Sequence, residues 1–191
     1  MLEHRLKADL GGGDYGWLNA RHHFTVTAGG NPAHRPLGPL VVWNDDLIAP
    51  DSGFPIHGHE NMEIVSYVLE GAVTHRDSAG GQGCTEAGDV QVMSAGTGIR
   101  HEERNAEDVP LRLFQIWLRP RENGGFPRWG SRPFSKADRA GQWAVLASGM
   151  PSDQDALPLR AAARVPGARL QARQRLNYSM AGQGYLVPTL G

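Results

Sequence analysis

Residues 53–105 read GFPIHGHENMEIVSYVLEGAVTHRDSAGGQGCTEAGDVQVMSAGTGIRHEERN, and this stretch decides the fold of the 191-residue chain. Glycines punctuate it, and the segments between them are β-prone, with clear alternation of side-chain type in residues 63–69. Successive side chains on a strand point to opposite faces, so alternation with a period of two predicts short strands joined by tight turns. We therefore expect an all-β fold built around this stretch.

Two pairs of potential metal ligands lie in the stretch, His57 with His59 and His101 with Glu103. Residues spaced by two share one face of a strand, so the rule selects Glu103 rather than Glu102 as the partner of His101. A single His-x-His pair often binds nothing, but the second pair favours a metal site. Three imidazoles and a carboxylate suit Fe(II), Mn(II), Ni(II) or Zn(II) and leave coordination positions open for water or substrate.

The stretch and its flanks resemble the pirin family of the cupin superfamily. The motifs that carry the resemblance are GWLNARHHF at 16–24, NDD at 44–46, GFPIHGHENMEIVSYVLEG at 53–71, HRDSAG at 75–80 and GDVQVMSAGTGIRHEERN at 88–105. The resemblance implies a cupin barrel, that is, a double-stranded β-helix or jelly roll. It also implies one divalent metal ion bound by His57, His59, His101 and Glu103, usually iron(II), with Mn, Ni, Zn, Co or Cu as alternatives.

The family resemblance implies a function as well. Known pirin activities include quercetin 2,3-dioxygenase, which opens a flavonol ring with O2 and releases carbon monoxide, so we expect a flavonol-like aromatic substrate and O2. Glu103 is then the candidate catalytic residue, accepting the proton of the 3-hydroxyl group. Eukaryotic pirins act as transcription co-regulators, so the alternative is a non-catalytic, metal- or redox-dependent regulator that binds protein partners. A cupin isomerase or another small-molecule dioxygenase is a third reading.

Two positions depart from the common pirin pattern. Gly58 stands where pirins usually have proline, and Glu102 stands where they usually have a small residue such as serine. Neither change removes a ligand. Glu102 adds negative charge near the mouth of the predicted site.

Four further residues receive expectations of their own. Glu63 lies four positions after His59 and would share its face on an unbroken strand, so we predict hydrogen bonding around the metal or a place in the cavity wall. His75 is predicted to be either a contact around the pocket or an ordinary strand residue. His22 and His23 are neighbours that must point opposite ways on a strand, which predicts one packing residue and one surface residue.

The flanking sequence predicts further strands and one turn. We expect a first strand at 22–27, a short buried strand at 40–44 and a core strand at 111–118. Asp45 and Asp46 follow an apolar run, and we read them as turn residues that cap backbone amides rather than as a second metal site.

The domain organisation is predicted as an N-terminal metal-binding cupin barrel at 1–119, a linker at 120–141 rich in proline, glycine and charge, and a partial C-terminal cupin domain at 142–191. The resemblance implies a bicupin whose second barrel is incomplete, so we expect a truncated protein or a fragment of a longer one. A partial sheet leaves unpaired edges, which the first barrel or another subunit must cover, so we expect a homodimer formed through the second domain or poor order there.

Composition excludes several classes of function. A formal net charge of −1 and a pI near 6.7 give no basic surface for direct nucleic-acid binding. The single cysteine, Cys84, excludes an intrachain disulfide and suits a reducing compartment. The N-terminal sequence lacks an apolar signal core, and no run approaches the ~18 apolar residues of a membrane span. These features predict a cytoplasmic protein without a membrane partner.

Overall fold

The structure is a computed structural model that describes residues 2–25 and 29–189. The described chain is nearly all β, with one short 3-10 helix at Lys7–Asp9. Its strands, in chain order, are β1 Gly11–Asp14, β2 Leu18–His22, β3 Leu40–Ile48, β4 Ser52–His59, β5 Glu63–Glu70, β6 Ala72–Asp77, β7 Gln82–Glu86, β8 Val90–Ser94, β9 Ile99–Asn105, β10 Leu111–Leu118, β11 Arg128–Arg132, β12 Ala144–Ser148, β13 Leu157–Pro158 and β14 Arg164–Gly167. No helix in the described part is long and apolar enough to cross a membrane, and the cytoplasmic location stays a prediction.

Two antiparallel sheets form the main body. One has seven strands in the order β1-β2-β3-β10-β5-β8-β11, and the other has four in the order β4-β9-β6-β7. The two sheets pack face to face, because Val73 of β6 lies in one buried cluster with Val68 of β5 and Leu113 of β10. The strand orders show that strands distant in sequence pair within each sheet. The shared cluster shows that apolar core lies between the sheets.

Alternation sets the inner face of β9. Arg100 and Arg104 are exposed, whereas the alternate residues are buried: Ile99, His101, Glu103 and Asn105. The spacing rule that selected Glu103 over Glu102 is thus confirmed in the burial pattern, because Glu102 is only half-buried.

A β-bulge interrupts the pairing of β4 with β9. Phe54 lies opposite Glu103 and His57 lies opposite His101, so β4 has one more residue than β9 between these pairs. Pro55 falls within the bulge, where its missing backbone N–H costs no ladder hydrogen bond. The extra residue brings Phe54 and His57, three positions apart, to the lining of one cavity.

The expected first strand and the expected Asp turn are both misplaced. The strand is β2, which ends at His22, and residues 26 and 27 of the predicted strand lie outside the described residues. The buried strand at 40–44 continues to Ile48, so Asp45 and Asp46 are strand residues and the turn prediction is wrong. Pairing with β2 and β10 extends the strand, and Arg112 of β10 holds the Asp45 carboxylate with two hydrogen bonds of 2.9 and 2.8 Å.

The segment predicted to be a linker contains β11, which pairs with β8 and forms the edge of the seven-stranded sheet. Phe134, just after it, is buried in the largest apolar cluster. Arg139 is buried too, and its guanidinium donates to the Tyr67 hydroxyl at 2.7 Å and the Gly88 carbonyl at 3.0 Å. Much of the segment is therefore packed against the first sheet, and the domain bounds stay a prediction.

The C-terminal strands β12, β13 and β14 form a small sheet inside the predicted second domain. Leu146 and Leu159 of this region belong to the same buried cluster as Val65, Val90 and Phe114 of the large sheet. Tyr185 reaches further, since its hydroxyl lies 2.9 Å from Nδ1 of His23. The C-terminal region thus shares a core with the large sheet, and dimerisation through it stays a prediction.

The shared core makes a testable claim about cooperativity. Leu146 is 3% exposed, so Leu146→Ala should leave a cavity and lower the free energy of unfolding by about 2–5 kcal/mol. Because the cluster joins both regions, a single denaturation transition should shift as a whole, measured by tryptophan fluorescence in urea. The matched control Leu186→Ala removes a side chain that is 78% exposed and should change stability by less than ~0.5 kcal/mol. A separate early transition in Leu146→Ala would contradict a shared core.

Candidate metal centre

Three histidines converge at the open end of the strand pair β4 and β9. His57 and His59 lie at the end of β4, and His101 lies directly opposite His57 in the register. The ligand nitrogens of the three rings all lie within 4.8 Å of one another. The spacing of two and the antiparallel register together place three imidazoles around one point.

The geometry of this cluster fits a metal ion. Nε2 of His57 and Nε2 of His101 are 3.1 Å apart. Two nitrogens that bind one ion at right angles, each at about 2.1 Å, are separated by about 3.0 Å. Nδ1 of His57 lies 2.8 Å from the Pro55 carbonyl oxygen, which can only accept, so the ring proton is on Nδ1 and the lone pair is on Nε2.

Burial keeps two of the rings neutral. It lowers the pKa of His59 to about 4, with the charge of His57 acting in the same direction. It lowers the pKa of His101 to about 3, and the neighbouring His57, His59 and His75 add to the effect. Both rings are therefore neutral imidazoles at neutral pH, each with one nitrogen lone pair, as metal ligands must be.

Glu103 belongs to a second group of potential metal ligands, which shares His101 with the three-histidine cluster. Its carboxylate falls within 4.8 Å of ligand atoms of His75 and His101. Three side chains donate to the two carboxylate oxygens: Gln91 Nε2 at 2.7 Å and Ser66 Oγ at 3.1 Å to Oε1, and Gln115 Nε2 at 2.5 Å to Oε2. The structure thus joins Glu103 to the histidines through His101, and the four-ligand set stays a prediction.

Glu63 is not brought to this cluster. The chain passes from the four-stranded sheet to the seven-stranded sheet between His59 and Glu63, so the unbroken strand that would align them does not exist. The Glu63 carboxylate instead accepts hydrogen bonds from Ser94 Oγ at 2.7 Å and from the Arg160 backbone amide at 2.8 Å. Alternation in β5 points Ile64, not Glu63, into the cavity.

His75 lies behind His101, away from the cavity lining. Its side chain is fully buried, and its Nδ1 is 3.5 Å from Nδ1 of His101. His75 is therefore not among the residues that line the cavity, as a pocket contact would be, and it instead contacts the predicted ligand His101 from behind.

A cavity of about 300 Å³ opens over the imidazoles. Side chains from both sheets line it, which places the metal cluster on one wall and a mixed apolar and polar surface on the others. The apolar lining residues are Leu18, Phe54, Ile64 and Trp117, and the polar ones beyond the predicted ligands are His22, Asn44, Asp46 and Gln115.

Asp46 is the main residue that the sequence prediction missed. Its side chain is 2% exposed and lines the cavity, and its Oδ1 has no hydrogen-bond partner among the described residues. Burial raises its pKa to about 7, and the charges of Asp45 and Glu103 act in the same direction. Continuing the two-residue period of the run at 40–44 through Asn44 would have placed Asp46 on the inner face.

The prediction that one of His22 and His23 is a surface residue is wrong. His22 and His23 are both buried, each 7% exposed, so neither is a surface residue. His22 ends β2 and lines the cavity, whereas His23 faces Tyr185 and the ring of Trp43 on the other side. Tyr185 of the C-terminal region covers His23, and the sequence around His23 does not predict this contact.

Two facing antiparallel sheets with convergent histidines on one strand pair define a protein of the cupin class. The model of the Pirin family matches residues 3–118. The chain therefore belongs to the Pirin family, and the expected all-β cupin fold is confirmed.

Similar proteins agree with this assignment. A protein named pirin-like protein from Caulobacter vibrioides is 52% identical over 193 residues, covering all of this chain and 83% of the relative. A protein named quercetin 2,3-dioxygenase from Escherichia coli is 44% identical over 135 residues, which cover 70% of this chain and 58% of the relative. The crystal structure of the bacterial pirin YhhW from Escherichia coli in complex with nickel(II) superposes with a TM-score of 0.78 at 36% identity, covering 85% of this chain and 69% of that one.

The raised pKa of Asp46 predicts a pH-dependent gain in stability for Asp46→Asn in the metal-free protein. Between pH 3.8 and 7 the folded carboxyl keeps a proton that the unfolded chain releases. The free energy of unfolding of the wild-type protein therefore falls as pH rises through this range. Asparagine imitates the protonated acid and has no such loss. The variant should therefore gain on wild type by up to ~1.4 kcal/mol per pH unit across this window, measured by urea denaturation.

A matched control for this experiment is Asp153→Asn. The hydrogen bond from Arg164 lowers the pKa of Asp153 to about 2, so its folded pKa and its unfolded pKa of 3.8 both lie below pH 5. The stability difference between this control and wild type should stay flat from pH 5 to 7. A flat difference for Asp46→Asn as well would contradict a protonated Asp46 in the folded protein.

Proposed function

We propose that this protein is a metal-dependent dioxygenase of the quercetin 2,3-dioxygenase type, with iron(II) as its resident metal. It would insert both atoms of O2 into a flavonol, open the oxygen-containing ring and release one ring carbon as carbon monoxide. The observation that carries the proposal is the placement of three convergent imidazoles at the wall of a half-apolar cavity.

The cavity suits a flat aromatic ligand with hydroxyl groups. Phe54, Ile64 and Trp117 supply apolar contact surface, and the Trp117 ring packs edge-on against His59 with 4.9 Å between centroids. Polar side chains line the rest of the cavity beside the apolar surface, and such groups can orient a hydroxylated small molecule. A ligand against these walls would bring one polar edge to the histidines.

His57, His59 and His101 would hold the metal through neutral imidazole nitrogens. A bound divalent ion would supply Lewis acidity that lowers the pKa of a flavonol hydroxyl, and iron(II) would add redox chemistry toward O2. Glu103 is proposed as the fourth ligand and as the acceptor of the 3-hydroxyl proton. Its three hydrogen-bond donors keep the carboxylate in place beside His101.

Asp46 is proposed to orient the substrate from the opposite wall. Within the described part of the chain, Oδ1 of Asp46 has no hydrogen-bond partner, whereas both oxygens of Glu103 accept hydrogen bonds. A substrate hydroxyl placed beside Oδ1 of Asp46 would relieve the cost of leaving that buried oxygen without a partner. This contact would favour hydroxylated ligands over plain aromatic ones.

The relatives support the enzyme class, since one of them carries the name quercetin 2,3-dioxygenase, and the nickel complex of a bacterial pirin supports a metal in this fold. The alternative is a regulator whose metal changes its affinity for protein partners. Asp46 and the apolar walls favour a small-molecule ligand over a purely regulatory metal.

Turnover of quercetin tests the proposal. Protein loaded with Fe(II) should consume O2 and release carbon monoxide in equal amounts, measured with an oxygen electrode and a haem-based carbon monoxide assay. His57→Ala removes one ligand and should lower both metal content and turnover about 100-fold or more. His4→Ala, which removes an exposed imidazole, should leave both unchanged. Bound iron with no O2 consumption would contradict the proposal and favour the regulator.

Glu103→Gln tests the proton acceptor separately. The variant keeps the shape of the side chain but presents an amide to three donors, so at saturating Fe(II) we expect turnover to fall at least about 10-fold. Glu102→Gln makes the same change on the neighbouring side chain, which faces the other way, and should keep wild-type turnover. Full turnover in Glu103→Gln would remove Glu103 from its proposed role as base.

A further inference from the structure

A buried carboxylate lies behind the metal cluster and is not explained by substrate binding. Asp77 ends β6, and its Oδ2 lies 2.9 Å from Nε2 of His75, with both side chains fully buried. Its Oδ1 accepts the backbone N–H groups of Ala79 at 2.8 Å and Gly81 at 2.9 Å. These two amides fix the orientation of the carboxylate.

The His75 ring is held in a fixed plane between Asp77 and His101. Trp129 stacks on it with 4.9 Å between ring centroids and 6° between ring planes. Gly83 leaves the room that Trp129 occupies, because a Cβ at that position would come within 2.5 Å of the indole. The ring therefore keeps one nitrogen on Asp77 and the other on His101.

The direction of the hydrogen bond between Asp77 and His75 follows from which of the two groups carries a proton. An ionised carboxylate only accepts, so Nε2 of His75 carries the ring proton and Nδ1 of His75 is an acceptor. Nδ1 of His101, 3.5 Å away, faces this acceptor, whereas Nε2 of His101 lies 3.1 Å from Nε2 of His57, so the His101 proton has an acceptor on either side of the ring. Only with the proton on Nδ1 does Nε2 of His101 keep its lone pair for a metal ion.

We propose that Asp77 and His75 are positioning residues that set the tautomer of His101 and so keep its Nε2 free to bind the metal. The inference rests on the metal site described under the proposed function. It extends to His101 what the Pro55 carbonyl does for His57, with two side chains in place of one backbone oxygen.

Asp77→Asn is the sharpest test, because the two backbone amides decide how the new side chain sits. The asparagine oxygen must stay at the Oδ1 position to accept from Ala79 and Gly81, which places its NH2 group against Nε2 of His75. His75 then has to carry its proton on Nδ1, and His101 has to move its own proton to Nε2. The substitution keeps the shape of the side chain but reverses the direction of the hydrogen bonds from Asp77 through His75 to His101. The same reversal occurs when an amide replaces the carboxylate of a catalytic triad.

Two readouts follow from this reversal. Affinity for nickel(II) alone, measured by competition with a chelator, should fall 10- to 100-fold in Asp77→Asn. Long-range 1H–15N spectra of the metal-free protein should show the His101 proton on Nδ1 in wild type and on Nε2 in the variant. Asp89→Asn removes a carboxylate that accepts the Phe134 amide at 3.1 Å and should change neither readout. Wild-type affinity and an Nδ1 proton in Asp77→Asn would overturn the proposal.

A pair of substitutions at His75 keeps the test decisive if Asp77→Asn does not fold. His75→Gln can donate its amide to Asp77 and offer its oxygen to His101, so the direction is kept and nickel affinity should stay within about threefold of wild type. His75→Leu fills similar space without an acceptor, and affinity should fall at least 10-fold. Equal affinities in the two variants would overturn the proposal.

The tautomer spectra separate this inference from the metal site itself, because they are recorded without metal. Wild-type protein that fails to bind nickel(II) would overturn the metal site and, with it, a role for the pair in metal binding. Wild-type binding together with an unchanged tautomer and affinity in Asp77→Asn would overturn the positioning role alone.

Discussion

A neutral imidazole has one proton and one lone pair, and three of them can serve one metal ion only if all three lone pairs meet. This constraint organises the structure. The antiparallel register of β4 and β9 places His57 opposite His101, and the bulge at Pro55 lets Phe54 share the cavity with His57. The Pro55 carbonyl fixes the ring proton of His57 on Nδ1, and His75 lies on the far side of the His101 ring. Burial keeps His59 and His101 neutral, so these two rings can bind a cation at neutral pH without losing a proton.

The interior around the site is polar, and its stability depends on a connected network of hydrogen bonds. Gln91 donates to Glu103 and accepts from Thr85 at 3.1 Å, and its oxygen also faces the Trp129 indole nitrogen at 3.3 Å. Trp129 in turn stacks on His75, so the network around Glu103 and the chain behind His101 meet at one indole ring. Such networks specify one arrangement of side chains because each unmade hydrogen bond in a low-dielectric interior is costly. Oδ1 of Asp46, on the cavity wall, has no hydrogen-bond partner among the described residues, and a ligand hydroxyl is its proposed partner.

The sequence predicted the part of the site that depends on strand periodicity. Spacing by two selected His57, His59 and His101, and it selected buried Glu103 over Glu102. It failed where tertiary contacts override the local pattern. Asp45 and Asp46 resemble turn residues in isolation, but Arg112 and two flanking strands keep them extended. Glu63 seemed aligned with His59 until the chain changed sheets between them. The burial of His23 depends on Tyr185, more than 150 positions away in the chain, and no local signal encodes that contact.

The central claim is that a single metal ion binds to three imidazole nitrogens in this cavity. X-ray absorption at the nickel edge of the nickel(II)-loaded protein tests it most directly, because imidazole rings give a characteristic multiple-scattering pattern. The account predicts three imidazole ligands at about 2.0–2.1 Å with oxygen donors completing the shell. A shell of oxygen donors without the imidazole pattern, at one ion per chain, would contradict it.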